Sequence, residues 1–506
     1  INNKISTPFY ESSIINKNIG NLSLASEQIK EALVIEPINE WYLLTAAEIY
    51  FTAQNYNYAI KKYRKLINLN PNKESYYYQL SESYIYNNNF QKAINVYDEL
   101  EKIRGIDKMI SIQKHKLYIQ IKNKKEAIKE LIKVLEKSPN DIEILEMLSE
   151  IYLLNNEREK AFEVFKRIGI INPENGRIHL TLADYYRESG EDEKSFEELK
   201  LAFKSSNIDL DTKIRILMSY YPLINLDDKM EMQAYELSKI LLSIYKNNSM
   251  VHAVYADVLY TASRFQEAKE QYFLVLQKEK NKKEIWSQVL FIQAEQSDWE
   301  GMLNTSEEAL LYFAAEPLFY YFNGVSNKWF KNYTDAINSL ETGVEFVIEN
   351  KNLLTEFYSS LGDLNHAIKK YDKSDYFYEK ALKVDSLNVI VLNNYSYYLS
   401  LRKENLEKAE QMSLKCNQIE KNNSTYQDTY AWILYNKKEY IKAKEWMIKA
   451  IKNGGEESPV ILEHYGDILF QLGDTKNAVF QWQKAKQAGK GSEFLEKKII
   501  EGKLYE

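Results

Sequence analysis

Cysteine is almost absent from this sequence, and its scarcity limits the chemistry that the chain can support. Cys416 is the only cysteine among 506 residues, so the chain can form neither an intramolecular disulfide nor a cysteine-based metal site. A lone cysteine suits a reducing cytosol and equally an envelope protein that avoids disulfides. No run approaches the roughly 18 consecutive apolar residues of a membrane-spanning helix. The chain starts at Ile1 rather than methionine, which we interpret as processing or trimming, compatible with a removed signal peptide or lipid anchor.

Glycine and proline are also scarce, with 16 and 8 residues respectively. An α/β enzyme of this length needs many tight loops and usually far more glycine, so that class is disfavoured. The formal charge is −7, whereas a protein that binds nucleic acid through phosphate contacts is normally basic. Hydrophobic residues make up 45% of the chain, and the 40 tyrosines indicate many half-buried aromatic positions. The composition therefore predicts a folded, helical protein that binds no nucleic acid.

Small residues recur along the chain at an almost constant spacing. The first six follow one another at intervals of 34 residues: Ala25, Ala59, Ala93, Ala127, Ala161 and Ser195. The series continues at intervals of 39, 34, 34, 34, 38, 35, 34 and 35 residues: Ala234, Ala268, Met302, Ala336, Ser374, Ala409, Ala443 and Ala478. A period that persists over the whole chain indicates an array of repeated structural units.

Each unit reads as two helices joined by a short turn. The first segment has a stripe such as Leu43, Ala46, Ala47 and Tyr50, whose offsets of 3, 4 and 7 lie on one helical face. The second segment has its own stripe around the small residue, which lets the paired helices approach closely. Prolines often follow the second segment, where they end a helix without breaking it: Pro37, Pro71, Pro139 and Pro173.

This pattern resembles the tetratricopeptide repeat, a helical hairpin of 34 residues, over about 6–492. The resemblance implies an all-α, right-handed superhelical solenoid of about fourteen helix-turn-helix units. We divide it into an N-terminal array (6–209), a central array (210–350) and a C-terminal array (351–492). Departures from the period predict insertions, as longer helices or loops, near 205–230 and 347–354. Residues 493–506 are predicted to form a capping helix, with Phe494, Leu495, Ile499 and Ile500 on one face.

Residues for catalysis or cofactor binding are not evident. The five histidines lie in different repeats and have no partner at metal-ligand spacing: His115, His179, His252, His366 and His464. Glycine-rich phosphate loops, metalloprotease helices and nucleophile elbows have no matching motif in the sequence. Cys416 occupies a small-residue position and is interpreted as core. We therefore predict a protein that is not an enzyme and that needs no metal or cofactor.

The resemblance implies that positions 2, 5, 9 and 12 of each first helix line a concave surface. Several of these positions are acidic: Glu48, Glu82, Glu146, Glu150, Asp184, Asp428, Glu463 and Asp467. Acidic residues either solvate an exposed helix face or form a negatively charged groove that prefers basic segments, and both interpretations stay open. The Lys, Arg and Asn set with which some family members hold C-terminal carboxylates is missing.

The last three repeats add large aromatic residues to the implied concave positions: Tyr397, Trp432, Tyr435 and Phe470. They stand beside Asn393, Asp428, Glu463 and Asp467. Exposed aromatic side chains are typical anchors in protein interfaces, so this region is the predicted centre of binding. The alternative is that the rings pack against the helix of the adjacent repeat.

The sequence thus favours a non-catalytic scaffold or adaptor that binds a protein or peptide segment, with basic segments as candidate partners. The alternative is a substrate-recruiting arm or subunit of an enzyme whose catalytic part lies outside this chain. The C-terminal repeats resemble those of envelope-associated repeat proteins from Bacteroidota-like bacteria. That resemblance favours a periplasmic, outer-membrane-associated location, such as that of a lipoprotein adaptor, with the cytoplasm as the alternative.

Overall fold

The computed structural model describes residues 5–505, which form α-helices, two short 3-10 turns and no β-strand. These helices group into two compact units that divide between Lys246 and Asn247. The helices of the first unit are α1 (Thr7–Asn18), α2 (Leu22–Ile35), α3 (Glu40–Thr52), α4 (Tyr56–Leu69), α5 (Glu74–Tyr86), α6 (Phe90–Arg104), α7 (Lys108–Gln120), α8 (Lys124–Lys137), α9 (Ile142–Leu154), α10 (Arg158–Ile171), α11 (Gly176–Glu188), α12 (Asp192–Lys204), α13 (Leu210–Met218) and α14 (Asp228–Ile244). Consecutive helices pack as hairpins, beginning with α1 against α2.

The second unit continues the same plan. Its helices are α15 (Ser249–Thr261), α16 (Phe265–Lys278), α17 (Lys283–Glu295), α18 (Trp299–Tyr312), α19 (Pro317–Trp329), α20 (Tyr333–Val344), α21 (Lys351–Ala367), α22 (Tyr371–Val384), α23 (Val389–Arg402), α24 (Leu406–Ile419), α25 (Ser424–Asn436), α26 (Tyr440–Lys452), α27 (Pro459–Gln471), α28 (Thr475–Ala488) and α29 (Leu495–Glu501). The predicted fold class, an all-α array of helix-turn-helix units, is confirmed. The predicted division at 209, 350 and 492 stays a prediction.

The periodic small residues lie where the two helices of each hairpin approach one another. The alanines of the series are fully buried, and Met302 is 1% exposed. Ser195 and Ser374 donate their hydroxyl groups to backbone oxygens of the preceding helix, at 2.7 and 2.8 Å. A larger side chain at these places would separate the helices, which explains why the period is visible in the sequence.

Most hairpin turns contain one residue in the left-handed backbone region. In the first unit these residues recur every 34 positions, at Gly20, Gln54, Asn88, Lys122, Asn156 and Gly190. The four between the two glycines carry a side chain, although an ordinary residue in this conformation costs roughly 1 kcal/mol or more. The chain therefore has few glycines although it has many turns, because polar residues occupy most of the left-handed turn positions.

Both predicted insertions change helix lengths. Near 205–230 the first helix of the hairpin, α13, has only 9 residues, and a 3-10 turn (Tyr221–Leu223) separates it from α14, which has 17. Near 347–354 the chain begins α21, which also has 17 residues where 13 is usual for a first helix. The first of these irregularities leaves a cavity, which is described in the last section of the Results.

The terminal helix α29 packs on α28 as the predicted cap, but with a different face. Leu495 and Lys498 are buried and Ile499 is partly buried against α27 and α28, whereas Ile500 is 82% exposed. The prediction that Ile500 faces the core was wrong. The packed face follows the offsets 0, 3 and 4 from Leu495, and Lys498 takes the central place because it finds ionic partners there. Residue 506 of the predicted cap lies outside the described residues.

Candidate functional site

A cavity of about 750 Å³ opens on the first helices of the last three repeats. We call it the first cavity. Its walls come from α23, α25, α27, the segment before α29, and α29 itself. Its lining residues are Tyr397, Ser400, Leu401, Lys403, Trp432, Asn436, Val460, Glu463, His464, Asp467, Lys490, Gly491, Ser492, Phe494, Lys498 and Tyr505. A mixed lining of aromatic rings and a few polar groups, in a volume of this size, is typical of ligand and peptide sites.

One wall of the first cavity is a stack of aromatic rings. The Trp432 ring lies between His464 and Tyr435, with centroid distances of 3.9 and 4.6 Å and interplanar angles of 16° and 8°. Trp432 is half-buried, and its Nε1 atom has no hydrogen-bond partner in the described structure. Buried indole N–H groups normally find an acceptor. The stack therefore forms a rigid aromatic wall, and the unpaired Nε1–H of Trp432 is itself buried.

A buried ionic cluster forms the opposite wall. Lys498 donates to Glu463 Oε1 at 3.0 Å and to Asp467 Oδ2 at 2.7 Å. Ser492 donates its backbone N–H and its hydroxyl to Glu463, and Trp482 donates Nε1–H to Asp467 at 2.8 Å. Burial opposes ionisation of Glu463, but the Ser492 bonds and Lys498 keep its pKa below the ordinary value. Burial raises the pKa of Asp467 to about 6, against the effect of Lys498.

His464 connects the aromatic wall with the acidic groups. Its Nδ1 lies 2.9 Å from Asp428 Oδ1. Burial lowers the pKa of His464, but Asp428, with Asp467 and Glu463, outweighs burial and raises the pKa above the ordinary value. Because the protonated ring is an ion-pair partner of Asp428, proton binding strengthens the contact between α25 and α27.

Raised pKa values at His464 and Asp467 predict that the second unit becomes more stable as the pH falls from 8 to 5.5. Both groups hold protons more tightly folded than unfolded, so their contribution is complete at low pH and is lost as the pH rises through the folded pKa values. The gain should be about 1 kcal/mol. Urea denaturation of the full chain at both pH values measures it. Asp467→Asn should reduce the pH dependence, and an unchanged dependence in that variant would contradict the assignment.

Four of the predicted binding residues line the first cavity. They are Tyr397, Trp432, Glu463 and Asp467. The two aromatic residues are half-buried, which is consistent with side chains that line an open cavity. Glu463 and Asp467 are 4% and 2% exposed, so the expectation of exposed acidic groups was wrong for them. Lys498 and Ser492 cover their carboxylates from the side of the terminal segment.

The other predicted residues of this region pack inside the repeats. Asn393, Asp428 and Tyr435 are 6%, 6% and 4% exposed, so the prediction that they face a groove was wrong. Asp428 turns toward His464 of the next repeat, and Tyr435 lies in the core under Trp432. Phe470 is half-buried, with its ring centroid 5.9 Å from that of Trp482. His464 and Gln471 of the adjacent repeat contact Asp428 and Tyr435, as the packing alternative in the sequence had allowed.

The acidic residues predicted in the first unit lie on several different helices. Glu82, Glu146 and Glu150 are exposed on α5 and α9. Glu48 is half-buried and forms an ion pair with Lys17 of α1. Glu82, Glu146 and Glu150 are therefore solvated carboxylates, whereas Lys17 neutralises Glu48. The fifth, Asp184, is exposed on α11 and is paired with Arg187 at 2.8 Å.

Several residues that build the first cavity were not predicted as functional from the sequence. His464 was interpreted as an ordinary packing histidine, whereas it joins the aromatic wall to Asp428. Lys498 was placed only within a capping helix. A signal was nevertheless present, since Lys498 follows Glu463 by 35 residues, about one repeat. Residues separated by one repeat meet between neighbouring first helices, as Lys328 and Asp363 also do at 2.7 Å.

The described residues hold neither a cluster of metal ligands nor an exposed thiol. Among residues 5–505, no three His, Cys, Asp or Glu side chains are arranged to hold a metal ion. Cys416 is fully buried, and burial raises the pKa of its thiol to about 12, so it stays protonated. This agrees with the interpretation of Cys416 as a core residue. In the same described part of the chain, no helix is both long enough and apolar enough to span a membrane.

Comparisons with known proteins bear on the repeat pattern. A tetratricopeptide-repeat family model matches residues 74–106, the hairpin of α5 and α6. No curated protein sequence matches the chain. Among solved structures, the chain is similar to the APC/C hetero-tetramer Cut9–Hcn1, with 10% identity, a TM-score of 0.41, and 92% of this chain and 96% of that chain covered.

Two further solved structures show a likeness of the same kind. For yeast Tom70 the identity is 16% and the TM-score 0.36, with 92% of this chain and 94% of that chain covered. For PilF of Pseudomonas aeruginosa the identity is 22% and the TM-score 0.31, with 34% of this chain and 76% of that chain covered. At these identities the likeness concerns the helical-repeat fold alone.

Proposed function

We propose that this chain, in which α5 and α6 form a tetratricopeptide repeat, is a non-catalytic scaffold that binds a segment of a partner protein. Proteins built from such repeats generally mediate protein–protein interactions, through the extended surfaces that stacked hairpins present. The observation that carries the proposal is the first cavity, which the half-buried rings of Tyr397 and Trp432 line. A scaffold needs such an anchor point in order to select one segment among many.

The charges of the first cavity favour an aromatic or apolar anchor in the bound segment. Glu463 and Asp467 share Lys498 and are buried with it, so they offer little attraction to a lysine or arginine of the partner. Lys490 at the rim is exposed and makes no ion pair in the described structure. A partner side chain that packs against the edge of the Trp432 ring and against Tyr397 would fill this cavity.

Basic parts of a partner would instead suit the first unit. Glu82, Glu146 and Glu150 are exposed there and remain the acidic surface that the sequence predicted. Exposed charges of this kind mainly accelerate encounter and add modest affinity. We therefore propose that the contribution of the first unit to binding weakens as salt rises, because exposed charges are screened.

Replacing Trp432 with alanine tests the role of the first cavity. Peptides selected from a displayed random library on the full chain should bind Trp432→Ala more weakly by about 2 kcal/mol, roughly 30-fold, as for a typical anchor residue. Isothermal titration calorimetry measures the affinity. The melting temperature should change little, because this ring lies at the wall of a cavity.

Two further variants complete this test. Tyr435→Ala should melt earlier than Trp432→Ala, since Tyr435 lies in the core. Trp41→Ala is the matched control, because Trp41 is 68% exposed in the first unit and lines no part of this cavity. If the selected peptides bind Trp432→Ala as tightly as the unaltered chain, the first cavity is not the binding site.

The setting that we propose is a multi-protein complex of the bacterial envelope, on the periplasmic side of the outer membrane. Its support is the resemblance of the C-terminal repeats to those of envelope-associated proteins. Fractionation of the native cell followed by detection with an antibody against this chain tests the location. Recovery with the cytoplasmic fraction would refute it.

A further inference from the structure

A second cavity, of about 520 Å³, lies in the first unit at the first irregular spacing of the repeat. The hairpin α11–α12 forms one side, and α13, the 3-10 turn and the start of α14 form the other. Its lining includes Leu180, Leu199, Arg215, Ile216, Leu223 and Met230. We call it the insertion groove.

The insertion groove exists because α13 is too short. The first helices α3, α5, α7, α9 and α11 each have 13 residues, and α13 has 9. The four missing residues correspond to about one helical turn, or roughly 6 Å of helix. In a regular repeat that turn would cover the trough between the helices of the preceding hairpin. Here the chain leaves the helix at Ser219 and turns away, so the trough stays open.

The open trough is apolar where a helical turn would pack. Leu180 and Leu199 are half-buried along its floor, and Ile216 and Met230 are half-buried along its sides. Leu223 stands at the rim and is 42% exposed. Incompletely covered aliphatic side chains of this kind favour a partner that removes them from water.

The charges around the groove are paired, with one exception. Arg187 pairs with Asp184 at 2.8 Å, and Asp192 lies 3.7 Å from Lys229. Arg215 is exposed and donates Nη2–H to the Thr212 hydroxyl at 2.8 Å. It makes no ion pair with any carboxylate among residues 5–505. The groove therefore offers an apolar trough with one guanidinium beside it that forms no direct ion pair, since the nearby Asp209 carboxylate is linked to it through the Thr212 hydroxyl.

We infer that the insertion groove binds a short amphipathic helix of a partner protein, which replaces the missing turn of α13. Apolar residues of that helix, three or four positions apart, would enter the trough, and a carboxylate of the same helix would face Arg215. Docking of an amphipathic helix in an apolar groove is a common mode of peptide recognition. This inference goes beyond the proposed function, because it concerns other residues in the other unit.

Stapled helical peptides are suitable probes, because free peptides of about 12 residues are marginal as helices. One peptide carries leucines three and four positions apart with a flanking glutamate, and its twin has lysine in place of that glutamate. Fluorescence anisotropy with the full chain should show tighter binding of the glutamate peptide by about tenfold or more, as expected for a charge-assisted contact. Arg215→Glu should reverse this preference, which a merely structural role of Arg215 would not do.

Leu223→Asp should abolish binding of both peptides without unfolding the chain, because this side chain is exposed at the rim. Trp432→Ala should leave their binding unchanged, which separates this inference from the proposal for the first cavity. The inference is overturned if neither peptide binds, or if Arg215→Glu and Leu223→Asp leave binding unaltered. It is also overturned if Leu223→Asp lowers the molar mass found by sedimentation, since the groove would then join two copies of this chain.

Discussion

Replacing Lys498 with methionine is expected to lower the free energy of unfolding of the second unit by about 3–5 kcal/mol. Lys498 is 3% exposed and donates to Glu463 and Asp467, which are themselves 4% and 2% exposed. Removing the cation leaves two carboxylates buried without their counterion, and the cost of that burial exceeds what the pair contributed when intact. Urea denaturation and hydrogen exchange of α27 in the full chain measure the loss.

Two controls separate the ionic effect from the loss of a long side chain. Lys497→Met changes the neighbouring residue, which is exposed, and should have little effect. Adding Asp467→Asn to Lys498→Met should restore part of the lost stability, because one buried charge disappears. Equal losses for Lys498→Met with and without Asp467→Asn would show that the charges do not govern the stability of this region.

Replacing Lys114 with methionine should destabilise the first unit by a similar amount, about 3–5 kcal/mol. This lysine is 1% exposed and lies 2.6, 2.8 and 3.0 Å from carboxylate oxygens of Asp98, Glu101 and Glu130. These carboxylates together raise the pKa of Lys114 although burial lowers it. Without the ammonium group they repel one another across the contact between α6, α7 and α8.

The matched control for Lys114 is Lys116→Met, two residues further along the same helix. Lys116 is exposed, so its replacement should change the urea midpoint little. In Lys114→Met, Glu130→Gln should recover stability, because Glu130 is 3% exposed and its Oε2 already lacks a hydrogen-bond partner. A midpoint for Lys114→Met equal to that of Lys116→Met would contradict the expected role of the cluster.

Much of the fold could be predicted from sequence because the repeat is a local signal. The 34-residue interval of small residues located the close contact within each hairpin, and the tetratricopeptide-repeat prediction is confirmed where the family model matches, at 74–106. Such contacts join residues close in sequence, so local periodicity suffices to detect them. Both insertions were also located, since a break in a regular period is as visible as the period.

The candidate site was only partly predictable. The implied concave positions brought Tyr397, Trp432, Glu463 and Asp467 to one cavity, as the structure shows. The sequence could not predict which aromatic rings face that cavity and which pack beneath it. Trp432 and Tyr435 both occupy implied concave positions of α25, and only their packing in the folded chain makes Tyr435 a core residue and Trp432 a half-buried one. The acidic residues could be identified from the sequence, but the ion pairs that they form with residues of neighbouring repeats could not.

The sequence by itself determined the architecture, because every hairpin has the same short-range requirements: a small residue at the close contact, a helical stripe on each side and a turn between. Only the tertiary structure decided the chemistry of the surfaces. Lys498 pairs with Glu463 and Asp467 because α29 stacks on the last hairpin, and the insertion groove opens because α13 ends at Met218. The ionic cluster and the insertion groove both depend on contacts between successive hairpins. Those contacts determine how deeply each charged group is buried, and hence its desolvation free energy, and how much of an apolar trough stays uncovered for a partner.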